Sequence, residues 1–152
     1  MACFRGVTVN APPAVVFRWL CQLRVAPYSY DWIDNLGRPS PPALTPGLER
    51  LAIGQTVMTM FELAAFEPER HITITSKLLQ TVFGDLAVTY AVQPHAEHGT
   101  RLLAKVLVRY PRNPLGWLMR VLLPWGDLLM MRKQLLTLRH LAEKQVADGR
   151  FA

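Results

Sequence analysis

Tyr28, Ser29, Tyr30, Asp31 and Trp32 stand in a row, with Asp34 and Asn35 just behind, so seven positions hold three aromatic residues and two carboxylates. Tyrosine hydroxyls beside a carboxylate at the mouth of a cavity could orient the polar head of a ligand, or move a proton from an acidic carbon. The same residues at helical spacing could instead pack the edge of a sheet. Asp31 would then cap a turn, and Asp34-Asn35 would end a helix.

Glu62 shares a strand face with Met58 and Met60. A carboxylate on an otherwise apolar face is either solvent-facing at a sheet edge or a pocket group with a raised pKa. Tyr90 shares a face with Leu86, Val88 and Val92. If that face looks inward, its hydroxyl needs a partner, which a ligand or Glu62 could supply. Arg132 and Arg139 lie beside the apolar stripe of the C-terminal segment. They could neutralise a ligand's acidic head, or cover apolar surface with their stems and keep their heads in water. Methionines 58, 60, 119, 130 and 131 suit a pocket that adapts to an irregular ligand and suit an ordinary core nearly as well. Trp117 and Trp125, with Arg112 and Arg120 nearby, could dip into a membrane interface.

Several chemistries are excluded. The chain has no Gly-x-Gly-x-x-Gly, phosphate loop, Gly-x-Ser-x-Gly or His-Glu-x-x-His sequence. Serines occur only at 29, 40 and 76, which argues against a serine nucleophile. His95 and His98 have a metal-like spacing, but they sit in a Pro/Gly-bounded turn with no third ligand suggested, so no metal and no cofactor is expected. Cys3 and Cys21 are too few for a disulfide framework. The net charge of +6 is spread along the chain, which suggests a solvated basic surface and no nucleic-acid partner. The apolar run 115–131 is interrupted by Arg120, Pro124 and Asp127, which argues against a membrane span. Met1 to Arg5 lacks the features of a secretory signal, and a cytoplasmic protein is expected.

These residues need elements to position them. Val7-Thr8-Val9 predicts a strand running straight into a helix start at Asn10-Ala11-Pro12-Pro13. Asn10 is the expected cap, and proline suits the first helical positions. Val15, Val16, Trp19, Leu20 and Leu23 fall on one face of that helix, which Pro27 ends or kinks. Residues 28–37 predict a second short helix closed by Gly37. Residues 38–54 are a Pro-rich crossing without periodicity. Strands are expected over 57–66, 71–79, 86–92 and 101–110, with hairpin connections at 67–69 and 94–99. From Pro114 to Ala147 the pattern is helical, with a break expected at Pro124. Leu128, Met131, Leu135, Leu138, Ala142 and Val146 form its apolar stripe, and Glu143 is placed to pair with Arg139.

The stretch Asn-Ala-Pro-Pro-Ala-Val-Val-Phe-Arg-Trp-Leu at 10–20 resembles the opening of the START-like, or SRPBCC, superfamily of polyketide cyclases and birch-pollen-allergen-like proteins. Gly99-Thr100-Arg101-Leu102 and the closing Leu138-Arg139-His140-Leu141-Ala142-Glu143-Lys144 fit the same pattern, and residues 28–35 resemble bacterial members. The resemblance implies an α+β helix-grip fold over residues 1–152 as a single ligand-binding domain. In it, a curved antiparallel sheet of about seven strands wraps a long C-terminal helix, with two short helices after the first strand. It also implies a cavity for a lipid, isoprenoid or polyketide-like molecule, used for binding or for cyclase/dehydratase chemistry by a Tyr/Asp/Glu set. A membrane-surface or protein-interaction module without ligand is a further reading. The expected ligand-binding residues are Tyr28, Tyr30, Trp32, Met60, Glu62, Tyr90, Trp125 and Arg132. No catalytic residue is assigned, and the sequence leaves the oligomeric state open.

Overall fold

The computed structural model describes residues 2–76, 85–95, 99–110 and 114–149. Strand β1 (Ala2–Val9) leads into helix α1 (Pro13–Cys21), a 3-10 turn over Gln22–Arg24 and the short helix α2 (Asp31–Asp34). After the crossing come β2 (Thr56–Val57), β3 (Phe61–Glu67), β4 (His71–Ser76), β5 (Asp85–His95), β6 (Gly99–Arg109) and the long helix α3 (Pro114–Ala147). Among the described residues the six strands form one curved antiparallel sheet in the order β1-β6-β5-β4-β3-β2. Helices α1 and α3 pack on its inner face and on each other. The architecture is α+β, with the long C-terminal helix gripped by the sheet.

Strand alternation decides which side chains face the helices. Leu102, Ala104 and Val106 of β6, Val88, Tyr90 and Val92 of β5, and Ile72 and Ile74 of β4 are buried. Arg101, Lys105 and Arg109 point away. From the helices, Val15, Val16, Trp19, Leu20, Leu23, Met131, Leu135, Leu138 and Ala142 complete the core. The Arg139 Nε donates to Glu143 Oε1 at 3.0 Å, as the spacing suggested.

Four local expectations are corrected. Asn10 does not cap α1. Pro12 flanks the helix with no side-chain cap, Pro13 opens it, and the Asn10 backbone N–H donates to Glu143 Oε1 at 2.9 Å. Residues 57–66 are not one strand. Met58 and Thr59 take φ of 48° and 60°, which folds the stretch into a hairpin pairing Val57 with Phe61. Left-handed pairs are usually announced by Asn-Gly, and Met-Thr carries no such signal. The second helix is shorter than 28–37, ending when the Gly37 N–H reaches back to the Asp31 carbonyl at 2.9 Å. Helix α3 continues through position 124. A proline inside a helix removes one backbone bond at a cost of about 3 kcal/mol. The tail of the strand expected over 71–79 and the turn residues 96–98 lie outside the described residues.

The crossing 38–54 has little regular structure but is tied to the 3-10 turn that follows α1. Buried Gln22 accepts from the Thr45 N–H at 2.8 Å, and Arg24 donates to the Leu48 and Arg50 carbonyls at 3.1 and 3.3 Å.

Candidate functional site

The polar centre of the interior is Gln134, on the inward side of α3 between Met131 and Leu138. Its Oε1 accepts from the Tyr90 hydroxyl at 2.7 Å, and its Nε2 donates to the Pro27 carbonyl at 2.6 Å and approaches Met58 Sδ at 3.7 Å. One amide therefore joins strand β5, the loop entering α2 and the β2-β3 turn to the long helix. A second buried amide, Gln145, accepts from Trp19 Nε1 at 2.8 Å and joins α1 to α3. Each amide satisfies polar groups that would otherwise be costly to bury.

Tyr28, next to Pro27, is held differently. It is 1% exposed, and its hydroxyl is buried without a hydrogen-bond partner. Its ring meets Trp19 edge-on, with centroids 6.0 Å apart at 87°. Its backbone sits at φ 54°, a left-handed conformation that an aromatic residue rarely adopts. Clamps hold it there: the Tyr28 N–H donates to Ser40 Oγ, and Asp31 accepts from both the Ser40 N–H (2.7 Å) and the Ser40 hydroxyl. Burial, reinforced by the Asp31 charge, pushes the Tyr28 phenol up to about 12. Burial likewise pushes the Cys21 thiol up to about 12, with Glu49 adding to it. Both groups keep their protons at neutral pH, so Tyr28 offers a hydrogen-bond donor and Cys21 is an inert core thiol.

Among the described residues the buried polar side chains besides tyrosine and tryptophan are Gln22, Ser76, Thr100, Gln134 and Gln145. The interior therefore presents amides and hydroxyls. The described carboxylates, histidines, lysines and arginines sit nearer the surface. No three His, Cys, Asp or Glu residues among the described ones gather as a metal site would require.

The sequence-derived candidates separate in space. Tyr28 and Tyr90 are both buried and are linked through Gln134 and Pro27. Tyr30 is half-buried at the start of α2, and Met60 is partly exposed in the β2-β3 turn. Glu62 pairs with Thr56 and Thr75, on the sheet face opposite Leu63 and Ile74. Trp32 (75% exposed), Trp125 (69%) and Arg132 lie at the surface. Gln134 was absent from the candidates although helical spacing places it within the stripe, three residues after Met131 and four before Leu138. A polar residue inside an apolar stripe was the available signal.

Sheet, helix and strand order define a helix-grip fold. Solved structures agree. The Zhui aromatase/cyclase from a Streptomyces species superposes with a TM-score of 0.64 at 15% identity, over 100% of this chain and 99% of that one. The di-domain ARO/CYC BexL from the BE-7585A biosynthetic pathway matches 96% of this chain and 47% of its own, with a TM-score of 0.58 at 15% identity. A Chromobacterium violaceum protein matches with a TM-score of 0.58 at 14% identity, over 94% and 98% of the two chains. No family profile matches the sequence, and no curated protein matches it. No helix among the described residues is long and apolar enough to cross a membrane.

Proposed function

We propose that residues 1–152 form one START-like domain that binds a neutral, hydrophobic small molecule between the sheet and α3. The lipid, isoprenoid and polyketide classes expected from the sequence all fit this reading. The observation that carries it is the Tyr28 hydroxyl, protonated, buried and unpartnered in an interior that is largely apolar and whose described polar groups are uncharged amides and hydroxyls. Apolar burial would supply most of the affinity, at roughly 25 cal/mol per Å². Tyr28 would supply orientation by donating to a carbonyl oxygen of the ligand. The free cysteines accord with a cytoplasmic setting.

A second reading is cyclisation or dehydration of a polyketide-like chain, favoured by the likeness to two proteins described as aromatase/cyclases. Tyr28 would then stabilise charge developing on the carbonyl oxygen. The amide-and-hydroxyl character of the interior favours binding over proton abstraction, because it offers no described base.

Native mass spectrometry of the purified protein, with organic extraction, tests both. A co-purified neutral mass, or saturable Nile red binding displaced by a hydroxylated aromatic ketone, supports binding. An apo mass with no saturable Nile red binding overturns it. Conversion of the extracted molecule on incubation would move the assignment to the enzyme.

A further inference from the structure

The two halves of α3 differ in whether anything covers their apolar residues; in the first half Val121 and Leu128, closer to the core-facing side, are exposed as well. At about 100° per residue, Met131, Leu135, Leu138 and Ala142 face the sheet and are buried. In the first half, Leu118, Leu122, Trp125 and Leu129 fall roughly on the other side, and all are exposed together with Trp117 and, further along, Leu136. Trp117 and Trp125 are each 69% exposed and Leu122 and Leu129 each 59%. This is a continuous apolar strip on the outside of the protein, larger in character than scattered surface leucines.

Charge selects what covers it. Over residues 114–138 the sequence holds Arg120, Arg132 and Lys133 against one acid, Asp127, while Arg139 beyond them is paired with Glu143. Arg120, Arg132 and Lys133 are exposed. Arg132 projects from the apolar strip itself, between Leu129 and Leu136, where its stem can lie along apolar surface while its head reaches phosphate. A second copy of the chain seated on the same face would bring these cations against their own counterparts. Tryptophan and leucine on a helix flanked by arginine and lysine match the boundary between headgroups and acyl chains of an anionic bilayer.

We infer that the first half of α3 is a docking face for an anionic lipid surface, independent of whatever the interior binds. The full-length protein is sedimented with phosphatidylcholine vesicles and with vesicles containing phosphatidylglycerol as well. Binding is expected to the anionic vesicles, weakening with added salt. The double variant Arg132→Gln/Lys133→Gln should lower partitioning roughly thirtyfold, and Leu129→Asn should lower it roughly tenfold or more. Both changes are at exposed positions, and unchanged circular dichroism confirms the fold. Absence of binding, or equal binding to neutral and anionic vesicles, overturns the inference. So does a concentration-dependent dimer that Leu129→Asn abolishes, because the face would then belong to a second copy.

Discussion

The first half of α3 is richer in apolar residues than its C-terminal half, yet it is the C-terminal half that enters the core. The C-terminal half turns Met131, Leu135, Leu138 and Ala142 into the core, and it carries Gln134 and Gln145, which tie the helix to β5, the loop before α2, and α1. The first half turns Leu122, Trp125 and Leu129 outward. Apolar residues on one helix therefore do not all report on the same interaction. The difference teaches that the fold is held by the half whose apolar side is also stitched by buried amides, and that the other half is available for contact.

That contrast can be broken or sharpened by substitution. Leu138→Ala should cost about 2–5 kcal/mol of stability in urea unfolding, as a buried truncation leaves a cavity. A loss below about 1 kcal/mol would mean that α3 is not gripped as described. Gln134→Leu removes the bonds that Gln134 makes to the Tyr90 hydroxyl and the Pro27 carbonyl, and should cost about 1–3 kcal/mol in the same assay.

Alkaline pH probes the layer packed on the gripped half. Burial raises the Cys21 thiol from 9.0 to about 12, so the unfolded chain releases that proton first. Its contribution is complete below about pH 9 and falls as pH climbs toward 12, with about 1 kcal/mol lost by pH 10. The Tyr28 phenol, raised from 10.0 to about 12, adds a decline of the same sign beginning about one unit higher. Cys21→Ala should therefore delay the onset of alkaline destabilisation, and iodoacetamide at pH 8 should modify Cys3 well before Cys21. Equal alkylation of the two would show α1 opening away from α3.

Tyr28→Phe removes an unpartnered hydroxyl, so stability should hold or rise by about 1 kcal/mol while affinity for a carbonyl-bearing ligand falls. A clear loss of stability would reveal that the hydroxyl is used within the protein. Leu122→Ser in the outward half should change stability by less than about 0.5 kcal/mol, the smallest effect of the set. Destabilisation approaching that of Leu138→Ala would erase the contrast between the halves.

Much of the architecture was legible before any coordinate. The Pro12-Pro13 helix start and the alternation of Leu102, Ala104 and Val106 against Arg101 and Lys105 are local patterns that land where their periodicity places them; of the stripe expected from Leu128 to Val146, Met131 to Ala142 enter the core while Leu128 is exposed. The β2-β3 hairpin was not legible, because Met58 and Thr59 adopt left-handed backbone only where the Leu23 carbonyl holds the Met58 N–H at 3.1 Å. The site was half legible. Tyr28 and Tyr90 stood out as aromatic residues with polar tips, yet Gln134, the residue that joins their surroundings, looked like any glutamine.

Residue order alone determined the period of each element and which side chains share its face, because helix and strand geometry are properties of the backbone. Only the tertiary structure decided which of those faces turned inward. The first half of α3 carries apolar residues as plainly as the second, but only those of the second are buried against the sheet and α1. Partners distant in sequence decided the rest: Ser40 for the Tyr28 backbone, Gln145 for Trp19, Glu143 for the start of α1. Hydrogen bonds between such residues depend on where the chain returns in space, and no local period encodes that.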